Sequence, residues 1–379
     1  MAQPEPARGP SSRRVLFALP GLHRVCRGAE IAFESIATEL AGLPGHEVTL
    51  VGTGPAVPGR PYRFRSVSCV PRERFERLPS VPVLRSSYAW EELTYTPGLA
   101  RAFSPSDYDV TIACSYPFTN WTLRARRALR ARPAHVFVTQ NGDWPAHARN
   151  GEFRFFGCDG LVCTTPEYFE RNGARWRATV IPNGVDPAAF APGPRARGAF
   201  GLPEDAPVAL MVSALIPSKR VMEGIRCVAR VPDLHLRVAG DGPLRAEVDA
   251  CGRALLGARY ARVNVPHAAM PGLYRAADVL LHMSRDEPFG NIYIEALASG
   301  LPVVAHDNRA SRWILEDQGL LAETADEAAV AGALVRALSR RSEDHVAARR
   351  ALVLRRFTWR RVAEQYAAFF GEVLEARAS

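Results

Sequence analysis

Short apolar runs alternate with longer stretches in which apolar residues recur every three or four positions. The chain opens with an apolar run at 14–19, a loop at 20–30, a helix-period segment at 31–41 and a second apolar run at 46–52. Strand, helix and second strand in that order is the βαβ opening of a Rossmann-type sheet. Residues 53–85 are rich in Pro, Arg and Ser with little period, and read as irregular chain with short strands. Further strands are expected at 109–114, 135–139, 160–163 and 179–181, with helices at 89–102, near 120–130 and at 166–172. The alternation returns after residue 207, with strands at 208–212, 234–239, near 262–265, 279–283 and 302–305, and helices at 221–231, 244–255, 270–276 and 291–298. Such alternation implies parallel sheets with helices on both faces. A long amphipathic helix at 359–376 closes the chain.

A chain of 379 residues is too long for one ordinary core and long enough for two domains. The expected division is a disordered tail at 1–12, a first domain at 13–186, a linker at 187–206, a second domain at 207–355 and a last helix at 356–379. The turn formers in Ile181-Pro-Asn-Gly-Val-Asp186 mark the end of the first domain, and the linker is rich in Pro, Gly and Ala. The first 14 residues lack an apolar segment of the signal-peptide kind, and no apolar run approaches the ~18 residues that span a bilayer. Seven cysteines without a Cys-x-x-Cys pair favour reduced thiols over disulfides or zinc. The expected location is therefore cytoplasmic.

The net charge of +9 is spread along the chain. No aromatic–basic stacking module accompanies it, so nucleic acid is not the expected partner. The run Arg124, Arg126, Arg127, Arg130 and Arg132 reads as a solvated helix face, or as a surface for peripheral contact with the inner membrane face.

The chemistry concentrates in Glu287-Pro-Phe-Gly-Asn-Ile-Tyr-Ile-Glu295. The segment places Gly290 and a helix start at the end of a strand, where unpaired N–H groups and the positive end of the helix dipole suit a diphosphate. Carboxylates beside a phosphate would repel it, so Glu287 and Glu295 are better suited to sugar hydroxyls. Lys219 is the single lysine among 48 basic residues, the other 47 being Arg. It stands in a loop between the strand at 208–212 and the helix at 221–231. A compact ammonium is not interchangeable with a guanidinium in a tight phosphate pocket.

The pattern Glu-Pro-Phe-Gly-x4-Glu, with Lys219, resembles the donor site of retaining glycosyltransferases of family 4. The resemblance implies an α/β protein of GT-B architecture: two Rossmann-like domains with parallel sheets facing a central cleft, and a C-terminal helix crossing back to the first domain. It implies transfer of a hexosyl group, with retention, from a nucleotide-diphosphate sugar of the UDP or GDP type. The acceptor would be a hydroxyl of a secondary metabolite, an envelope precursor or a lipid. No cofactor or metal is expected. By the resemblance Glu287 bonds hydroxyls of the transferred sugar, Lys219 the diphosphate and Glu295 the ribose. Phe289, Gly290, Asn291 and Ile292 carry the backbone that meets phosphate or sugar.

Other candidates also follow strands. Ser213 precedes the Lys219 loop, and Gly240-Asp241-Gly242 is either an ordinary turn or a close backbone approach to the ligand. Pro266 and Met270 resemble the wall of the nucleobase site, or form a helix cap with a core Met. Departures from the family pattern accompany these. Ala214 stands where an Arg is usual, and Arg220 or Arg24 is the expected substitute. Gln140 stands where a His is common; it can bond a sugar hydroxyl but not exchange a proton near neutral pH. His282 replaces a Pro and reads as a core histidine. Gly28 and Asp143 join Arg24 on the acceptor side, with a plain helix turn as the other reading of Gly28. Trp90, Tyr95, Tyr116, Phe118 and Trp121 line an apolar acceptor site or pack in the core. Two rivals keep the architecture: an inactive relative that braces a partner, and a sugar-nucleotide epimerase.

Overall fold

Seven parallel strands form the sheet of the first unit: β1 (Arg13–Ala18), β2 (His46–Gly52), β3 (Arg63–Ser66), β4 (Val110–Ala113), β5 (Ala134–Val138), β6 (Gly160–Cys163) and β7 (Ala178–Val180). Their order is β3-β2-β1-β4-β5-β6-β7. The strands β4, β5 and β6 are buried at every residue, which is why they read as unbroken apolar runs. β3 is the edge strand, with three of four residues exposed, and its Arg-rich sequence gave no strand period. The helices are α1 (Gly28–Ala41), α2 (Ser87–Ala102), α3 (Phe118–Arg124), α4 (Trp144–His147) and α5 (Pro166–Asn172). Ser86 caps α2 by accepting from the Ala89 N–H, and Pro166 opens α5, where a missing N–H costs nothing.

The second unit is a six-stranded parallel sheet of β8 (Val208–Val212), β9 (His235–Ala239), β10 (Tyr260–Val263), β11 (Val279–His282), β12 (Val303–His306) and β13 (Gly319–Ala322), in the order β10-β9-β8-β11-β12-β13. Its helices are α6 (Val221–Ala229), α7 (Arg245–Leu256), α8 (Met270–Ala276), α9 (Asn291–Ala298), α10 (Arg309–Leu315), α11 (Glu327–Ser339) and α12 (Glu343–Arg356). Two cores flank this sheet, one built on Ile225, Val238 and Leu334, the other on Leu210, Ile294 and Phe357. Where the sheet order reverses, β8 lies beside β11. Their carboxyl ends form the switch point at which open α/β sheets bind ligands.

The last helix, α13 (Trp359–Ala378), belongs to the first unit, which comprises Met1–Pro182 and Trp359–Ser379; the second comprises Asn183–Thr358. Val362, Tyr366, Phe369 and Phe370 of α13 are buried in one core with Phe33 and Leu40 of α1. Residues 187–206 do not behave as a free linker. Phe190 is buried in the second unit's core, and the buried Arg197 donates to Asp278 at 2.6 Å.

The computed structural model describes residues 12–378 apart from 76, 77, 80, 126–131, 149, 150 and 152. Most of the expected tail at 1–12, together with Arg126, Arg127 and Arg130 of the basic run, lies outside them. Among the described residues no helix is long and apolar enough to cross a membrane.

Candidate active site

Lys219 and Glu287 meet at the switch point. Lys219 ends a 3-10 turn, Pro217–Lys219, in the loop after β8, and Glu287 lies in the loop after β11. Lys219 Nζ stands 2.5 Å from Glu287 Oε2. His282, the last residue of β11 and buried, has its Nε2 2.9 Å from the same oxygen. Burial alone would raise the Glu287 carboxyl. The His282 hydrogen bond and charge, joined by the Lys219 ammonium, outweigh it and hold the group at about 2. Glu287 is thus a carboxylate at any ordinary pH: it accepts hydrogen bonds and does not supply a proton.

Gly290 stands between this pair and α9. Its φ of 80° is left-handed, and a Cβ there would lie 2.7 Å from the Tyr293 ring, so glycine is required on two counts. Among the described residues no side chain caps α9. The Tyr293 N–H turns back to the Gly290 carbonyl at 2.9 Å, and the Asn291 and Ile292 N–H groups, which have no partner within the helix, carry its positive end. Asn291 Oδ1 accepts from Asn183 Nδ2 at 2.8 Å, which ties the Asn-Gly turn to the start of α9. Glu295, one turn on, accepts from the Tyr274 hydroxyl at 2.7 Å. Burial drives its carboxyl up to about 7 despite that bond.

Other sequence candidates find structural roles. Phe289 is buried against Trp313 and Phe357, so its side chain anchors the loop. Met270 packs in the same core, and Pro266 is an exposed residue that caps a 3-10 turn. Gly240 has φ 150°, and a Cβ there would come within 1.9 Å of the Ser213 carbonyl oxygen. Leu215 N–H donates to the Asp241 carbonyl at 2.9 Å, and a Cβ on Gly242 would press on the Leu215 backbone. The Gly240–Gly242 turn therefore serves the close passage of two loops. Ser213 Oγ donates to the Ala214 carbonyl at 3.2 Å. Ile292 is half-buried on α9.

Arg220, next to Lys219, is engaged within its own unit. Its guanidinium donates to Thr324 Oγ1 at 2.7 Å and to Glu223 at 3.3 Å. In the first unit Arg24 is ion-paired with the buried Glu91, which engages the other expected substitute. Asp143 is forked by Arg171 at 2.8 and 3.0 Å and receives Asn172 Nδ2 at 2.8 Å, so it braces α5. Gly28 is the exposed first residue of α1, and Gln140 is half-buried in the turn after β5. Tyr95 and Tyr116 are buried core residues.

The sequence leaves three residues unmarked and shows one, His282, only in part. His282 was read as core and is also a partner of Glu287. Tyr274 supports Glu295 from a neighbouring helix, a contact with no sequence signal. Glu30 and Glu92 are buried in the first unit. Burial raises both carboxyls, Glu92 to about 7 although it accepts from the Thr119 N–H at 2.6 Å. Among the described residues no group of three or more His, Cys, Asp or Glu is arranged to hold a metal ion.

Comparison with known proteins follows the two units. Residues 26–189 match the family model described as Glycosyltransferase Family 4, and residues 206–340 that described as Glycosyl transferases group 1. The lipopolysaccharide core biosynthesis glycosyltransferase LpsE of Rhizobium meliloti is 29% identical over 56% of this chain and 63% of its own length. A D-inositol 3-phosphate glycosyltransferase of Geodermatophilus obscurus is 32% identical over 58% of this chain and 54% of its own. The chain thus spans little more than half the length of these relatives. Sucrose-phosphate synthase from Thermosynechococcus elongatus superposes with a TM-score of 0.73 at 19% identity, over 96% of this chain and 100% of that one. HepE of Anabaena, solved with UDP-glucose, gives 0.71 at 17% over 95% and 99%. The two matches thus fall on the two parallel sheets in turn, and the fold is that of the GT-B glycosyltransferases.

Proposed function

We propose that this protein is a retaining glycosyltransferase that moves a hexosyl group from a nucleotide-diphosphate sugar, of the UDP type in the first instance, to a hydroxyl of a bacterial envelope precursor or related metabolite. The observation that carries this reading is the convergence of Lys219, Glu287 and the uncapped start of α9 at the β8–β11 switch point. A cation and helix N–H groups suit the diphosphate, and a permanently charged carboxylate suits sugar hydroxyls. The relatives add weight on substrates. One is named for lipopolysaccharide core, one for inositol phosphate, and a structural neighbour holds UDP-glucose.

In the proposed reaction the bond from the anomeric carbon to the leaving phosphate oxygen breaks, and a bond to the acceptor oxygen forms on the same face. The departing phosphate oxygen takes the acceptor proton, so no side-chain base is needed. Negative charge grows on the diphosphate as the bond breaks, where Lys219 and the α9 N–H groups stabilise it. The donor displaces the Lys219–Glu287 pair, freeing the ammonium for phosphate and the carboxylate for the sugar. Glu295 and Tyr274 then stand ready for the ribose.

The test is thermal stabilisation by UDP, GDP, ADP and dTDP, followed by the anomeric configuration of the product by NMR. A ligand that binds the native state raises its stability. A shift for one nucleotide that disappears in Lys219→Ala, with a retained anomer in the product, is the expected result. No shift for any nucleotide, or an inverted product, overturns the reading. Stabilisation without turnover on any acceptor would favour the inactive relative.

A further inference from the structure

A second charged site lies at the opposite edge of the same sheet, at the amino ends of β8, β11 and β12. A cavity of about 150 Å³ is lined there by Arg195, Arg275, Asp278, Ser299 and Arg341, among others. Asp278 is buried, and its carboxylate is shared by three guanidiniums: Arg195 at 2.6 Å, Arg197 at 2.6 Å and Arg341 at 2.7 Å. Its Oδ2 also accepts from the Val208 N–H at 2.8 Å. Arg197 is fully used, since it donates further to the carbonyls of Pro203, Glu204, Ala206 and Ala276. Arg195 and Arg341 share the single oxygen Oδ1, and both remain over a third exposed. Arg275 lies over Gly193 and has no ion-pair partner among the described residues. Ser299 is 8% exposed, and its hydroxyl has no hydrogen-bond partner among the described residues.

We infer that this cavity is a binding site for a phosphate-class oxyanion, separate from the Lys219–Glu287 site. The charge arithmetic favours an anion. Three guanidiniums meet one carboxylate and Arg275 adds a fourth without an ion-pair partner among the described residues, against the carboxyl ends of α8, α9 and α11, each end worth about half a negative charge. Positive charge stays in excess, and guanidiniums are matched to phosphate oxygens in both geometry and hydration. Crowding of like charge is already felt at Arg341, whose burial and whose neighbours Arg195 and Arg197 lower its pKa against the pull of Asp278. Ser299 lines the same space, and its hydroxyl is buried beside it without a partner among the described residues. The size of the cavity limits the ligand, because drug-sized molecules need roughly 300 Å³ or more. A free phosphate or the phosphoryl end of a larger molecule fits; a whole nucleotide does not.

The experiment is equilibrium dialysis of the full chain against inorganic phosphate at constant ionic strength, with the thermal midpoint read in parallel. Glycerol phosphate forms a second arm. Tighter binding of one or the other tells whether the free ion or a phosphoryl group is the natural occupant. The variants are Arg275→Gln and Ser299→Ala, neither of which touches Asp278, with Lys219→Ala reporting on the diphosphate site. Saturable binding that survives Lys219→Ala and weakens about tenfold or more in Arg275→Gln supports the site. Binding that is lost in Lys219→Ala but intact in Arg275→Gln and Ser299→Ala would assign the phosphate to the other site and overturn the inference. Absence of saturable binding in either arm would do the same.

Discussion

Glu287 keeps a negative charge in a half-buried place because His282 and Lys219 surround one of its oxygens. Two consequences follow at the scale of single residues. Lys219→Ala and Glu287→Gln should each lower kcat/KM by roughly a hundredfold or more, the size of effect seen when one group serving transition-state charge is removed. Near-normal turnover in both would remove the site from the second unit's switch point. The carboxyls also set opposite pH dependences. The folded Glu287 sits at about 2, below its ordinary 4.5, so between those values the unfolded chain binds more protons. Its contribution to stability is present above that window and is lost as pH falls through it. Glu295 is raised to about 7, so the folded chain binds more protons between 4.5 and that value, and stability declines as pH rises through neutrality. Urea unfolding across pH should show this decline in the wild type and a smaller one in Glu295→Gln, the remainder coming from the buried Glu92, which is also raised to about 7. The Tyr274→Phe change removes the hydroxyl bonded to Glu295 and should cost about 1–2 kcal/mol. Little of this was legible in the sequence beyond Glu287, Glu295 and Lys219 themselves. Tyr274 precedes its partner by 21 residues and sits on another helix, so only packing brings the two together.

At the scale of elements, turns govern the site. Gly290 holds a left-handed φ between β11 and α9, with the Tyr293 ring where a Cβ would stand. The Gly290→Ala change should lower stability by about 1–2 kcal/mol for the backbone strain alone and more for the clash. Nucleotide binding should weaken with it, because the helix start must shift. Denaturation and nucleotide titration of the same variant check both. The strands buried on both faces were the easiest elements to read, since each is a short unbroken apolar run. The helices between 309 and 356 escaped notice for the converse reason. α12 carries four arginines and buries only Arg349, Leu352 and Val353, so its apolar stripe is thin. Arg349 itself is buried, donating to the Gly300 carbonyl at 2.8 Å, and no hydropathy pattern points to a core arginine.

At the scale of the whole molecule the chain leaves the first unit at Pro182 and returns to it at Trp359. Two parallel segments mark the crossing: the Val185 N–H donates to the Phe357 carbonyl at 2.7 Å, and Val185 bridges Thr358. The core of the first unit is therefore incomplete until α13 has been made. The Phe370→Ala change should cost about 3–5 kcal/mol, and removal of 359–379 should leave the first unit unable to fold cooperatively. Calorimetry of the point variant and limited proteolysis of the truncation test this; a truncated chain with wild-type resistance in its first unit would refute it.

The sequence by itself determined the two parallel sheets, because burial on both faces writes itself as apolar runs at regular spacing. It also determined the Glu287–Glu295 loop and its lysine, because strand, glycine and helix start are local. The tertiary structure alone decided which polar groups meet. It joined Arg220 to Thr324, turned Asp143 toward Arg171, gave His282 to Glu287 and drew three arginines onto Asp278. Such pairings depend on side chains far apart in the chain arriving at one point with the right reach, and hydrophobic periodicity carries no record of that.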